Sequence, residues 1–275
     1  MKEAVASVMR KLAPFLVLGW VVLAAFPVYY IVVTSLKTQA DYLKPPPWAF
    51  PEKWTLENYR AVLESGFLRY FSNSVWVATT VAIASVALSL LVAYGVVRSS
   101  SRVFRGGFYL FILGFAIPAQ ATVISLYTLA RSVGLYDTLW AIILPLVGFA
   151  MPVTVIVFSN FLREIPPALF EAMAIEGAGH LTILRHLVLP LSLRAVLSMG
   201  LFNFIGAWNA LLFPLILTQS PEVRVLPMAV WAFTGEFTIN VPAVMAAVTL
   251  SALPLIVAYV FARREILNAL RGGLV

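Results

Sequence analysis

The sequence predicts an all-helical membrane protein with six spanning helices, and three observations carry that prediction. Hydrophobic residues make up 61% of the 275 and charged residues only 11%. Soluble domains sit near half apolar and a quarter charged, so this composition belongs to lipid. Six windows hold no Asp, Glu, Lys, Arg or His: 12–36, 70–97, 106–130, 138–162, 195–221 and 237–262. Each is 25 to 28 residues long, and about 20 apolar residues suffice to cross roughly 30 Å of hydrocarbon. The third observation is charge asymmetry. Lys2, Arg10, Lys11, Arg98, Arg102, Arg105, Arg163, Arg185, Arg194, Arg263, Arg264 and Arg271 fall on one side, against Lys37, Lys44, Lys53, Arg60, Arg69, Arg131 and Arg224 on the other, 12 against 7. The poorer side also carries seven of the twelve acids. The positive-inside rule then puts both termini in the cytoplasm.

The elements follow in order. The first window is too long for the apolar stretch of a cleaved signal peptide, about 7–15 residues, and reads as a retained span. Loop 37–69 is the longest external one, with Pro45-Pro46-Pro47 and the aromatics Trp48, Phe50, Trp54 and Tyr59, a composition suited to the outer interface. Pro27, Pro118, Pro145, Pro152, Pro214 and Pro254 interrupt five of the six spans. Such prolines are either ordinary kinks or marks of helices that bend around a path. The pI near 9.8 does not indicate nucleic-acid binding, because the basic residues flank apolar runs rather than form a patch. With no cysteine there is no disulfide framework.

The spans lack ionisable groups, and that argues against an ion-coupled carrier or a voltage sensor, which need them to couple charge to motion. Uncharged polar groups stand there instead: Gln120, Thr122, Ser125, Tyr127, Ser159, Asn160, Asn203, Trp208 and Asn209. Gln120, Asn203, Trp208 and Asn209 are the candidates for a solute pathway, since amides and aromatic faces suit a neutral, hydroxyl-rich ligand. The same residue types also glue helices together in membranes, and both readings stand. None of the five lysines follows a glycine, so there is no Walker A loop, and neither a metal-ligand cluster nor a nucleophile elbow is present. No enzyme chemistry is visible and no cofactor is expected on the chain. If transport is driven, a separate protein drives it.

One polar interval stands out, Arg163 to Arg194, with three arginines, three glutamates and both histidines. Pro166 and Pro167 open a helix, where a missing N–H costs little. Leu169, Phe170, Met173 and Ala174 share a face with Glu171 off it. Gly177 and Gly179 supply a break, and a second helix re-enters the membrane through Pro190 into span five.

Glu171-Ala172-Met173, three residues, Gly177, nine residues, then Leu187-Val188-Leu189-Pro190 resembles the EAA motif of permease subunits of binding-protein-dependent ABC importers. That motif reads Glu-Ala-Ala, three residues, Gly, nine residues, Ile, any residue, Leu-Pro. Met173 and Leu187 are the departures. Asn73-Ser74, Ala93-Tyr94, Gly134-Leu135-Tyr136-Asp137-Thr138 and Trp208-Asn209 look like the MalG-type branch, which imports carbohydrates, and the resemblance runs from about Leu12 to Leu270. It implies a type I ABC importer permease fold in a bacterial or archaeal cytoplasmic membrane, with a cytoplasmic coupling helix between spans four and five. Glu171, Ala172, Met173, Glu176, Gly177, Ala178, Leu189 and Pro190 would form the ATPase-coupling site. Implied partners are a MalF-like second permease, two ATPase subunits carrying ATP and Mg, an extracytoplasmic solute-binding protein and a di- or oligosaccharide; a polyol phosphate such as glycerol-3-phosphate is the alternative substrate. The tail Leu270-Arg271-Gly272-Gly273-Leu274-Val275 departs from the Gly-Ala-Val-Lys-Gly-like end of the family, so no tail contact is carried over.

Overall fold

The computed structural model describes residues 2–99, 101–229, 233 and 239–272. It divides into two compact units, Met1–Phe67 with Ala229–Pro254 and Leu68–Met228 with Leu255–Val275.

In the first unit, helix α1 (Lys2–Ser35) runs unbroken through Pro14 and Pro27. The chain after it folds back onto its end. Lys37 is only 2% exposed, and its ammonium donates to the Pro47 carbonyl at 2.8 Å. The Asn58 amide donates to the Ser35 and Lys37 carbonyls at 2.8 and 2.7 Å, and the Tyr29 hydroxyl donates to Trp48 O at 2.9 Å. These bonds satisfy backbone groups that a proline-rich loop cannot pair within itself. Trp48, Phe50 and Trp54 stay exposed.

The second unit is built on α2 (Leu68–Arg98) and α5 (Leu139–Glu164), with α8 (Leu193–Trp208) packed on both. Ala78, Ala82, Ser85, Ser89 and Ala93 are all buried along one stripe of α2. Small residues at this spacing let neighbouring helices approach closely, which is how helices associate where lipid offers no hydrophobic drive. Between α2 and α5 come α3 (Arg102–Phe115), a 3-10 turn at Ala119–Thr122 and α4 (Val123–Ser132). After α5 come the short helices α6 (Pro167–Ile175) and α7 (His180–Leu191), and α8 is followed by α9 (Leu212–Leu217). Helix α10 (Val241–Gly272) belongs partly to each unit.

The helices keep the order of the six windows and change their shape. Three are long and apolar enough to cross a membrane alone: Ala13–Ser35, Glu57–Arg98 and Leu139–Glu164. The third window, expected as one span, is a pair bent by 96° between Gly106–Phe115 and Ala119–Ser132. Pro118 adopts φ −62° and ψ 132°, an extended cap that ends α3 and starts the next turn. The fifth window also breaks. Helix α8 ends at Trp208, and Pro214 has no N–H to offer Ala210, so α9 restarts at Leu212. By contrast Pro27, Pro145, Pro152 and Pro254 lie inside continuous helices. The sixth helix is described from Val241 and continues ten residues past its window to Gly272, so Arg263, Arg264 and Arg271 are helix positions rather than loop. Residues 237 and 238 at that window's start, Glu236, and Gly273 to Val275 of the tail lie outside the described residues.

Candidate functional site

Loop 163–194 sits on the end of the α2–α5 pair. Ile165, Phe170, Ile183 and Val188 are buried with Leu90, Ala93 and Tyr94 of α2 and with Val155, Phe158 and Leu162 of α5. Met173, Ala178, Leu184 and Leu187 pack partly against the same cluster. The seated face of α6 is therefore Phe170 and Met173. Leu169 and Ala174, expected on that face, point away: Leu169 is 42% exposed and Ala174 is exposed too.

The turn after α6 closes by a specific set of bonds. Gly177 takes φ +78°, Ala178 N–H donates to Met173 O at 2.9 Å and Gly177 N–H to Ala174 O at 3.0 Å. This pairing is a Schellman cap, with a glycine at the left-handed position and Met173 and Ala178 both packed on the buried cluster. Nothing lies within 4 Å of where a Gly177 side chain would begin. The left-handed backbone, rather than any neighbour in this chain, is what requires glycine.

Outward of the cap, Glu171, Ala172, Ile175, Glu176, Leu189 and Pro190 are all exposed, Ile175 by 88%. Neither glutamate has an ion pair among the described residues. An exposed isoleucine thus lies between two carboxylates on a capped helix, and nothing in the described chain covers it. The eight residues of the sequence motif are thus brought together in one loop, with Met173 and Ala178 anchoring it and the other six facing outward or turning the chain.

Two contacts fasten the loop to α2 beyond simple packing. The Tyr94 hydroxyl and His180 Nδ1 are 3.0 Å apart, and the Arg98 guanidinium lies 4.4 Å over the Phe170 ring. Sequence reading did not pair these residues. Tyr94 and His180 are 86 positions apart, and no local spacing joins them.

Helix α7 does not run straight into span five. It contains a wide turn at Leu184–Val188, reaches Leu191 and meets α8 at a bend of 80°. Pro190 cannot bond the carbonyl four residues back, and Ser192 takes φ −88° and ψ 3° between the two helices.

The four pathway candidates occupy different settings. Gln120 is exposed on the 3-10 turn. Asn203 is buried, its amide donating to Ser85 Oγ at 2.8 Å and Thr154 Oγ1 at 3.0 Å, so that it ties α8 to α2 and α5. Trp208 is buried between Phe204, stacked at 5.7 Å, and Phe71, edge-on at 5.9 Å. Asn209 is exposed at the end of α8, donating to Ile205 O at 2.9 Å. An apolar cleft of about 630 Å³ opens among α3, α4 and α5, lined by Phe115, Leu126, Trp140, Leu144 and Phe149, and none of the four lines it.

At the opposite end of the unit, Asp137 fastens two chain segments. Its carboxylate accepts from the Gln219 and Ser220 N–H groups at 2.7 and 2.9 Å and from the Ser220 hydroxyl. The amide of Gln219, and then the Ser220 hydroxyl, hold its carboxyl below the usual carboxylate range.

Fold and composition together define a multi-pass helical membrane component with a capped, exposed loop between α5 and α8. Residues 85–267 match the family described as "Binding-protein-dependent transport system inner membrane component". The chain belongs to that family. It is 30% identical to the trehalose/maltose transport system permease protein of Thermococcus litoralis, over 94% of this chain and 95% of the other. It is 31% identical to the glucose import system permease protein of Saccharolobus solfataricus, over 90% and 89%. Among solved structures it is similar to a bacterial ABC transporter involved in importing the acidic polysaccharide alginate, with a TM-score of 0.82 at 20% identity, over 94% and 97%. The fold is that of a type I ABC importer permease. The chain is a transporter membrane subunit rather than an enzyme, and ATPase subunits are separate proteins.

Proposed function

We propose that this chain is one permease half of an ATP-driven importer of neutral di- or oligosaccharides, with loop 163–194 seated on an ATPase subunit in the cytoplasm. The capped, exposed surface from Glu171 to Gly177 carries the reading. It offers polar and apolar contacts on one face while its other face is locked to α2 and α5. A body docked there moves the membrane helices with it. Both termini are cytoplasmic in this reading, and loop 37–69 lies on the outer side with its exposed tryptophans at the interface. The partners are a MalF-like second permease, two ATPase subunits that bind ATP and Mg, and an external solute-binding protein.

Two observations support a neutral sugar. The spans are uncharged, and the relatives named above take up trehalose or maltose and glucose. The proposed pathway residues are Gln120, Asn203, Trp208 and Asn209. Gln120 and Asn209 present exposed amides, whereas Asn203 and the buried Trp208 act through the helices and rings that they hold together.

The test is purification of the tagged chain in mild detergent, followed by reconstitution into vesicles. Co-elution of an ATPase and a second permease is expected, with ATP hydrolysis stimulated by a loaded binding protein. Labelled maltose, trehalose and glucose are the first probes of uptake. A chain that elutes alone and without ATPase activity would overturn the reading, and a complex that accepts only anionic solutes would overturn the substrate class.

A further inference from the structure

The 80° bend between α7 and α8 makes that junction a poor push rod, because part of any displacement is absorbed in closing the bend. The loop has a stiffer attachment elsewhere. At the last turns of α2, the Tyr94 hydroxyl meets His180 Nδ1 at 3.0 Å with the rings edge-on at 5.9 Å. One turn on, Arg98 lies over Phe170, which is only 2% exposed. One contact holds the start of α7 and the other holds α6, so both arms of the loop are fastened to one helix.

We infer that Tyr94 and His180 form a latch, backed by Arg98 on Phe170, which delivers displacement of the loop to α2. Both are positioning residues for transport. The inference rests on the proposed seating of this loop on an ATPase. Helix α2 is the suitable recipient because it packs on both α5 and α8. Asn203, bonded to Ser85 and Thr154, makes the three helices move together. Either tautomer serves the latch: a bare Nδ1 accepts from the tyrosine hydroxyl, and a protonated one donates to it.

The experiment measures ATP hydrolysed per solute imported in the reconstituted complex with its binding protein. Tyr94→Phe removes the hydroxyl and keeps the ring; His180→Ala removes the partner; His180→Asn restores a polar atom near the Nδ1 position. Each of the first two should raise the ratio roughly fivefold, the equivalent of about 1 kcal/mol for one net hydrogen bond. The double variant should be no worse than either single, because both break the same bond. His180→Asn should return the ratio most of the way. A mere loss of folding lowers yield but leaves the ratio of the assembled fraction untouched. Wild-type ratios from the single variants, or multiplied effects in the double, would overturn the latch. Gly177→Asp run alongside separates the two ideas. Normal uptake from it overturns the seating of the loop, whereas lost uptake there with a wild-type ratio in Tyr94→Phe overturns the latch alone.

Discussion

Asp137 takes φ 62°, a left-handed backbone that an aspartate tolerates when its side chain is fixed locally. The fixing comes from across the fold. Its own N–H donates to Leu217 O at 2.9 Å while its carboxylate gathers the Gln219 and Ser220 donors, so the turn before α5 is clasped to the chain after α9. Asp137→Ala leaves those donors without an acceptor and keeps the left-handed backbone. The expected loss is about 1.5–3 kcal/mol, the range for hydrogen bonds to a charged group, with Asp137→Asn intermediate. Thermal unfolding of the purified protein checks this, and an Ala variant as stable as wild type would remove the clasp from the account. The pH sign follows from the depressed folded value. The contribution is fully present above the unfolded carboxyl pKa, about 3.9, and is lost as pH falls through the lower folded value. Stability should therefore show no dependence on this group between pH 5 and 8. Asp137 was legible as part of a family-like stretch, but its clasp was not, because Ser220 lies 83 positions away.

Helices were legible where a single physical rule governs them. Charge gaps located the long apolar helices, since lipid excludes charge and needs a minimum length, but not the short apolar helices α6 and α7 between them. Proline was less decisive. Pro145 and Pro152 sit within an unbroken α5 whose Thr154 and Phe158 are buried, whereas Pro118 stands in the break between α3 and the 3-10 turn and Pro214 in the first turn of the restarted α9. Whether neighbours re-satisfy the freed carbonyl decides the outcome, and that is a property of packing. The loop between α5 and α8 was read well at its cap and less well at its face, with Leu169 and Ala174 turned outward. Its glycine gives the test at this scale. Asparagine adopts the left-handed backbone with little penalty, and the space beside Gly177 is open within this chain. Gly177→Asn should accordingly insert and fold at wild-type levels, with stability within about 1 kcal/mol. If an ATPase subunit seats closely on the cap, the same variant should lose most solute-stimulated ATP hydrolysis. Wild-type stimulation would mean that the glycine serves the turn alone.

Across the whole molecule, charge stands at the ends of the helices. Arg69 and Arg98 bound α2, Arg163 and Glu164 close α5, and Arg194 opens α8. A charge carried across the full membrane field gains about 2.3 kcal/mol per 100 mV, enough for roughly a fortyfold concentration ratio. With no Asp, Glu, Lys, Arg or His within the six windows, this chain has no group on which to collect that energy. In the proposed function the free energy arrives mechanically instead, through the exposed Glu171 to Gly177 face. The complete complex in vesicles should then import solute whenever ATP is present on the loop side, at a rate unchanged when an ionophore collapses the membrane potential. Removing ATP should stop import even under a maintained potential. Import driven by an imposed proton or sodium gradient without ATP would contradict the account, and would require a titratable group in the path that the partner permease supplies.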